Sequence, residues 1–137
     1  MNLPKGFFAN GLHCGIKKNG KKDMSLFYSE KPSFAAGVFT KNIFKAAPVI
    51  VSQKNIKNKI HCIVANSGCA NACTGERGIG DAKKICNLTA AQLNVKPENI
   101  LVASTGVIGQ YLPMKEIEYG IKNLIVSEFQ NFRISEK

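Results

Sequence analysis

Leu101-Val102-Ala103-Ser104-Thr105-Gly106-Val107-Ile108-Gly109 sets the fold class: an apolar run breaks into hydroxyls and glycine, and a helical pattern begins beyond it at Pro113. Ile100 to Ala103 is short, apolar and β-compatible. Closed by Gly106 and Gly109, it reads as a buried strand emerging at the edge of a sheet. Met114, Ile117, Ile121, Leu124 and Ile125 then recur at helical spacing, with Pro113 suited to the first helical position. The order is strand, loop, helix. A loop so placed offers N–H groups that the strand no longer uses, and Gly106 leaves the backbone open to an anion or to an oxygen that becomes one. The same residues also fit a plain βα turn in which Ser104 or Thr105 satisfies nearby backbone groups.

Upstream, the first half of the chain is strand-rich. Phe7 to Ile16, Met24 to Ser29, Ala35 to Thr40, Pro48 to Gln53 and Ile60 to Asn66 are predicted strands, with turn chemistry at Asn19-Gly20, Lys31-Pro32-Ser33 and Lys41-Asn42. Asn-Gly is a strong hairpin signal, and the lysines around it suit a solvated tip. After Ile60 to Asn66 comes a loop dense in small and polar residues, from Asn66 to Gly80, and then a helix opened by Asp81 with Ala82, Ile85, Cys86, Thr89, Ala90 and Leu93 along one stripe. The loop carries neither G-x-G-x-x-G nor G-x-x-x-x-G-K-[ST], so it does not match a nucleotide cradle. The predicted fold is α/β with a mixed sheet, hairpins in the N-terminal half and strand-loop-helix units in the C-terminal half. No internal repeat or linker divides residues 1–137, which read as a single unit.

Composition narrows the function classes. With 45% hydrophobic residues the chain is of ordinary globular type, and no apolar run approaches the length needed to span a bilayer. Five cysteines without an export signal suit reduced thiols and a cytoplasmic protein. His61, Cys62, Cys69 and Cys73 do not have the spacing of a common zinc module, and no metal is expected. A net charge of +10 invites phosphate binding, but only Arg77 and Arg133 among the nineteen basic residues are arginine, so nucleic acid is not the expected partner.

Four stretches in order carry a resemblance. Gly11 to Lys22 (GLHCGIKKNGKK), Ala36 to Thr40 (AGVFT) with Lys45 to Pro48 (KAAP), Ala65 to Gly75 (ANSGCANACTG), and Val102 to Gly109 (VASTGVIG) with Leu112 to Met114 (LPM) resemble the N-terminal part of the glutamate N-acetyltransferase / ornithine acetyltransferase family of arginine biosynthesis. The resemblance implies a precursor that cleaves itself before a threonine into α and β chains, usually a two-plus-two heterotetramer. The new N-terminal threonine is the nucleophile, and its own amine can take the hydroxyl proton. Acetyl would pass from N-acetylornithine to that threonine and then to glutamate without a cofactor, with acetyl-CoA a further acetyl donor in some members. The family's oxyanion-stabilising Thr-Gly pair falls on Thr105 and Gly106.

Two departures stand out. Cys69 occupies a position where the family pattern carries asparagine, and the sequence ends at Lys137, before the family's Thr-Thr-Asp-Thr, Lys-Gly-Ser-Gly and Asn-Met-Ala-Thr segments. None of Thr40, Thr74, Thr89 and Thr105 follows an alanine, so the nucleophile is not among these residues. The resemblance therefore implies an α-chain portion, truncated before the cleavage site, that needs a catalytic β chain. Phe129, Phe132 and Ile134 are expected to expose an apolar end. The alternative is an inactive remnant or a basic binding module using Lys17, Lys18, Lys21 and Lys22. The purified 137-residue chain is expected to show no acetyl transfer from N-acetylornithine to glutamate; measurable turnover in a coupled assay would contradict this.

Overall fold

A computed structural model describes residues 3–135, with side chains described as far as Ile125. The elements run β1 (Phe7–Leu12), β2 (Met24–Ser33), α1 (Ala47–Asn55), β3 (Ile60–Cys69), α2 (Gly75–Leu93), a 3-10 turn at Pro97–Asn99, β4 (Ile100–Val107) and α3 (Met114–Ser135). The four strands form one sheet in the order β1-β2-β3-β4. The first two pairings are antiparallel and β3 with β4 is parallel, α2 making the crossover. This is the mixed α/β arrangement the sequence predicts.

Strand alternation decides where the core lies. Met24 and Leu26 of β2, Cys62 and Val64 of β3, and Ile100 and Val102 of β4 pack with Ala82, Ile85, Cys86, Ala90 and Leu93 of α2 and with Ile117, Ile121, Leu124 and Ile125 of α3 in one buried cluster. Both stripes match the helical spacing in the sequence. Burying each large aliphatic side chain contributes about 1.5–3 kcal/mol, so this helix-covered face dominates the stability. Residues of the opposite parity lie on the other face, where Phe7, Phe27 and Ile63 are 47%, 50% and 40% exposed.

Several predicted boundaries are corrected. Pro48 to Gln53, predicted as a strand from Val49, Ile50 and Val51, lies within α1; Ala47, Pro48, Val51, Ser52 and Asn55 are its buried residues, a helical spacing, and the proline falls in the first turn, where no N–H is missed. Ala35 to Thr40 forms no strand; the 34–44 segment is irregular and leaves Phe34, Val38, Ile43 and Phe44 almost fully exposed. Asn19-Gly20 is not a two-residue hairpin, because Leu12 pairs with Met24 and an eleven-residue loop lies between them. α2 starts at Gly75 rather than Asp81. Glycine has poor helix propensity, but Gly78 is used in packing, as described below. Phe129, Phe132 and Ile134 have side chains outside the described residues.

α1 closes the outer edge of β4. Ser52 Oγ donates to the Val102 carbonyl (2.7 Å) and accepts the Val102 N–H (2.9 Å), while Asn55 Nδ2 donates to the Ile100 carbonyl (2.9 Å). A helix side chain thus replaces a fifth strand. Ser52→Ala would strand both buried backbone groups of Val102. It is expected to lower stability by about 1–3 kcal/mol in urea titration, whereas Lys54→Ala on the exposed side should stay within about 0.5 kcal/mol.

Candidate functional site

The parallel strands β3 and β4 leave the sheet side by side, and their exits gather the polar residues of the chain. Ligands of open α/β sheets bind outside such carboxyl ends. The pairing runs Asn66 with Ser104, Ser67 with Thr105, Gly68 with Gly106 and Cys69 with Val107. This corrects the predicted loop at Ser104-Thr105-Gly106: the three residues are the end of the strand, not a turn beyond it. The loop after β3 likewise shrinks to residues 70–74.

Gly106 is required by packing. Its φ is +130°, and a Cβ there would lie 2.6 Å from the Cys69 nitrogen and 2.7 Å from the Gly68 oxygen. The side that the sequence reading left open for a ligand is thus filled by the β3 backbone. Thr105 sits differently. It points, with Ala103, to the face opposite the helices, where its hydroxyl is exposed and has no partner among the described residues. Ser104 faces the helix side and donates to Asn66 Oδ1 (2.6 Å), and Asn66 Nδ2 in turn donates to the Cys69 carbonyl (2.9 Å). The amide of the buried Asn66 thereby ties the two strand ends together.

The 70–74 loop is built the same way. Asn71 is fully buried with φ +48°; its Nδ2 donates to the Gly78 carbonyl (2.9 Å) and its Oδ1 accepts the Thr74 hydroxyl (2.8 Å). A Cβ on Gly78 would lie 2.6 Å from Asn71 Oδ1 and nearer still to Thr74 Oγ1, so the glycine lets the first turns of α2 close on the loop. The Asn71 carbonyl accepts the Ala47 N–H (3.1 Å), and the Ala72 carbonyl accepts that of Gly109 (2.9 Å). Since Ser52 meets Val102 and Asn55 meets Ile100, α1 runs antiparallel to β4 and turns its partly positive N-terminus toward the same exits. Arg77 stacks on Tyr111 at 3.8 Å.

Cys69 is buried and its thiol donates to the Gln110 carbonyl (3.4 Å). Cys73 is exposed, Cys62 is buried in the core, and His61 Nδ1 lies 3.0 Å from the Ser29 carbonyl. Among the described residues no three His, Cys, Asp or Glu side chains are placed to share a metal ion, and no described helix is long and apolar enough to cross a membrane.

Asp23 escaped the sequence reading because lysines surround it. Its buried carboxylate accepts the Cys14 N–H (2.7 Å) and the Lys17 N–H (2.9 Å), with His13 Nδ1 3.0 Å away. Burial pushes its pKa up, but the amides of Cys14 and Lys17, the Cys14 thiol and His13 together outweigh that and bring it from 3.8 down to about 2. The neighbouring Cys14 thiol is pushed up to about 12, by burial first and then by the Asp23 carboxylate. A depressed carboxylate stabilises the fold fully above its unfolded value and loses that contribution as pH falls through the folded one. Acid unfolding between about pH 4 and pH 2 should therefore carry an Asp23 component. Asp23→Asn should be less stable at neutral pH and show a flatter stability profile across that interval.

Similar proteins share this layout. The model of the ArgJ family matches residues 8–134. The arginine biosynthesis bifunctional protein ArgJ of Thermotoga neapolitana is 48% identical over 128 residues, 91% of this chain and 32% of that protein. ArgJ 1 of Clostridium acetobutylicum is 52% identical over 117 residues, 85% and 29% respectively. Two crystal structures superpose closely: ArgJ of Bacillus halodurans, with TM-score 0.83 and 42% identity over 86% of this chain and 62% of that one, and the ornithine acetyltransferase of Mycobacterium tuberculosis in complex with ornithine, with TM-score 0.86 and 39% identity over 89% and 67%. The chain spans about a third of the length of the curated relatives it matches, 32% in the first case. From the family match over residues 8–134, and from strands and helices that coincide with those of solved members, it follows that this chain belongs to the ArgJ family.

Proposed function

We propose that this chain is the N-terminal portion of an acetyltransferase that moves acetyl from N-acetylornithine to glutamate in arginine biosynthesis, and that Thr105 and Gly106 supply its oxyanion-stabilising donors. The observation that carries the reading is Thr105: an exposed hydroxyl with no partner among the described residues, beside Gly106 at the carboxyl end of a parallel strand. The relatives, arginine biosynthesis bifunctional proteins and an ornithine acetyltransferase in complex with ornithine, support the substrate class.

In this reading the nucleophile is the N-terminal threonine of a catalytic β chain, whose amine takes the hydroxyl proton as the oxygen attacks the acetyl carbonyl. The carbonyl oxygen gains charge at that moment. The Thr105 hydroxyl and the Gly106 N–H are donors suited to it, and both are held in place before the reaction because strand pairing fixes their backbone. The C–N bond to ornithine then breaks as the α-amine returns the proton to the leaving nitrogen, and the amine of glutamate takes the acetyl group from the threonine through a second intermediate of the same kind, restoring the threonine hydroxyl. No cofactor is needed; acetyl-CoA would enter only as an alternative donor. The assembly proposed is two α and two β chains in the cytoplasm. Its contact with the β chain would extend over the open sheet face, where Phe7, Phe27 and Ile63 border a groove of about 300 Å³ at the end away from Thr105.

Thr105→Ala in the assembled enzyme is expected to lower kcat about 10²–10³-fold while KM for N-acetylornithine changes little, because the lost donor acts on charge that exists only in the transition state. Thr105→Ser should keep most of the activity. An unchanged kcat in Thr105→Ala, measured with N-acetylornithine and glutamate, would overturn the assignment.

A further inference from the structure

We propose that Asp23 is a positioning residue for the donor site at Gly106, acting through the 13–22 loop; this rests on the acetyl-transfer reading of Thr105 and Gly106. The path is short and each step is a contact. The Asp23 carboxylate gathers the amides of Cys14 and Lys17 from opposite ends of the Cys14–Lys17 turn. Between them, Ile16 and Lys17 are pressed onto β3: a Cβ on Gly68 would lie 2.8 Å from Ile16 Cγ2 and 3.3 Å from Lys17 Cγ. Gly68 is the residue whose backbone stands against Gly106, at a separation that no side chain could share. Meanwhile the Asp23 carbonyl accepts the Ser67 N–H (2.8 Å), so the same residue fixes the backbone immediately before Gly68.

The sandwich is therefore loop, β3 exit, β4 exit, and Asp23 is what holds the loop on top. Its chemistry suits the task. A carboxylate offers two acceptor oxygens to two convergent N–H groups, which an amide cannot do without turning its own N–H₂ toward one of them. Both carboxylate oxygens are engaged by the Cys14 and Lys17 amides, with His13 Nδ1 3.0 Å away and the Cys14 thiol the other titratable neighbour. Asp23 is buried, with a side chain that reaches its own loop, so its effect belongs to the placement of donors and not to substrate affinity.

The test uses the assembled enzyme with this chain labelled in its glycine and isoleucine amides. Asp23→Asn is expected to lower kcat by about ten- to a hundredfold, the size of effect that a small misplacement of reacting groups produces, with KM for N-acetylornithine little changed. Ile16→Ala keeps the carboxylate cage and trims the side chain that lies over Gly68 and against the edge of the core; it should give a smaller loss of the same kind, and it decides the matter if Asp23→Asn does not fold. In both variants the Gly68 and Gly106 amide resonances should move while that of Ile121, in the α3 core, stays. Unmoved Gly106 and undiminished kcat in Ile16→Ala would overturn the proposal, as would a loss that appears in KM alone. Thr105→Ala run alongside separates the two failures: if it leaves kcat intact the acetyl-transfer reading falls, and the Gly106 amide still decides whether Asp23 positions that strand end.

Discussion

Two backbones approach each other at Gly68 and Gly106 more closely than a side chain on Gly106 allows, and the strand exits at that end of the sheet depend on that contact. With a Cβ on Gly106 the parallel ladder would have to part before Cys69 and Val107, because the first atoms met are the β3 backbone, while a Cβ on Gly68 would push against Ile16 and Lys17 of the 13–22 loop. Keeping the ladder intact carries Ser104, Thr105 and Gly106 into the sheet. Their orientation is then set by strand pairing rather than by a loop that could relax. Donors fixed in this way cost no reorganisation when charge develops nearby.

Polar side chains complete what the glycines begin. Asn66, Asn71, Ser52 and Asp23 are all buried, and each bonds to the backbone of another segment or of its own loop. A buried polar group without partners would cost about 1–3 kcal/mol, so these residues stabilise the fold only as satisfied networks. Together they tie the 13–22 loop, the 70–74 loop and the N-terminus of α1 around the exits of β3 and β4. The apolar core between the sheet and α2 and α3 supplies most of the stability, while this polar frame fixes the geometry at one end of it.

The two faces of the sheet differ in kind. One is sealed by α2 and α3; the other presents Phe7, Phe27 and Ile63 half-exposed, with the exposed Phe34 bordering the same groove. Contiguous exposed apolar surface is the kind of surface that the proposed β-chain contact would cover. Thr105 lies on that same face, so a partner seated there would bring its own groups toward the strand exit from the side the helices leave open.

The sequence by itself determined the mixed α/β class, the apolar stripes of α2 and α3, and the family, because each depends on local periodicity or on short words of fixed order. It put Thr105 and Gly106 in a loop beyond the strand, whereas pairing with Ser67 and Gly68 keeps them within β4. Periodicity misassigned α1, whose β-branched Val49, Ile50 and Val51 favour a strand, since only the tertiary structure shows Ser52 and Asn55 serving the edge of β4. The glycines before Asp81 suggested a loop because propensity does not register that Gly78 must admit Asn71 and Thr74. Asp23, hidden among lysines, gained its meaning only when residues 14 and 17 folded back upon it. What the tertiary structure decided, in each case, was a contact between segments distant in sequence or bent back on themselves, and no local pattern encodes a partner that arrives only on folding.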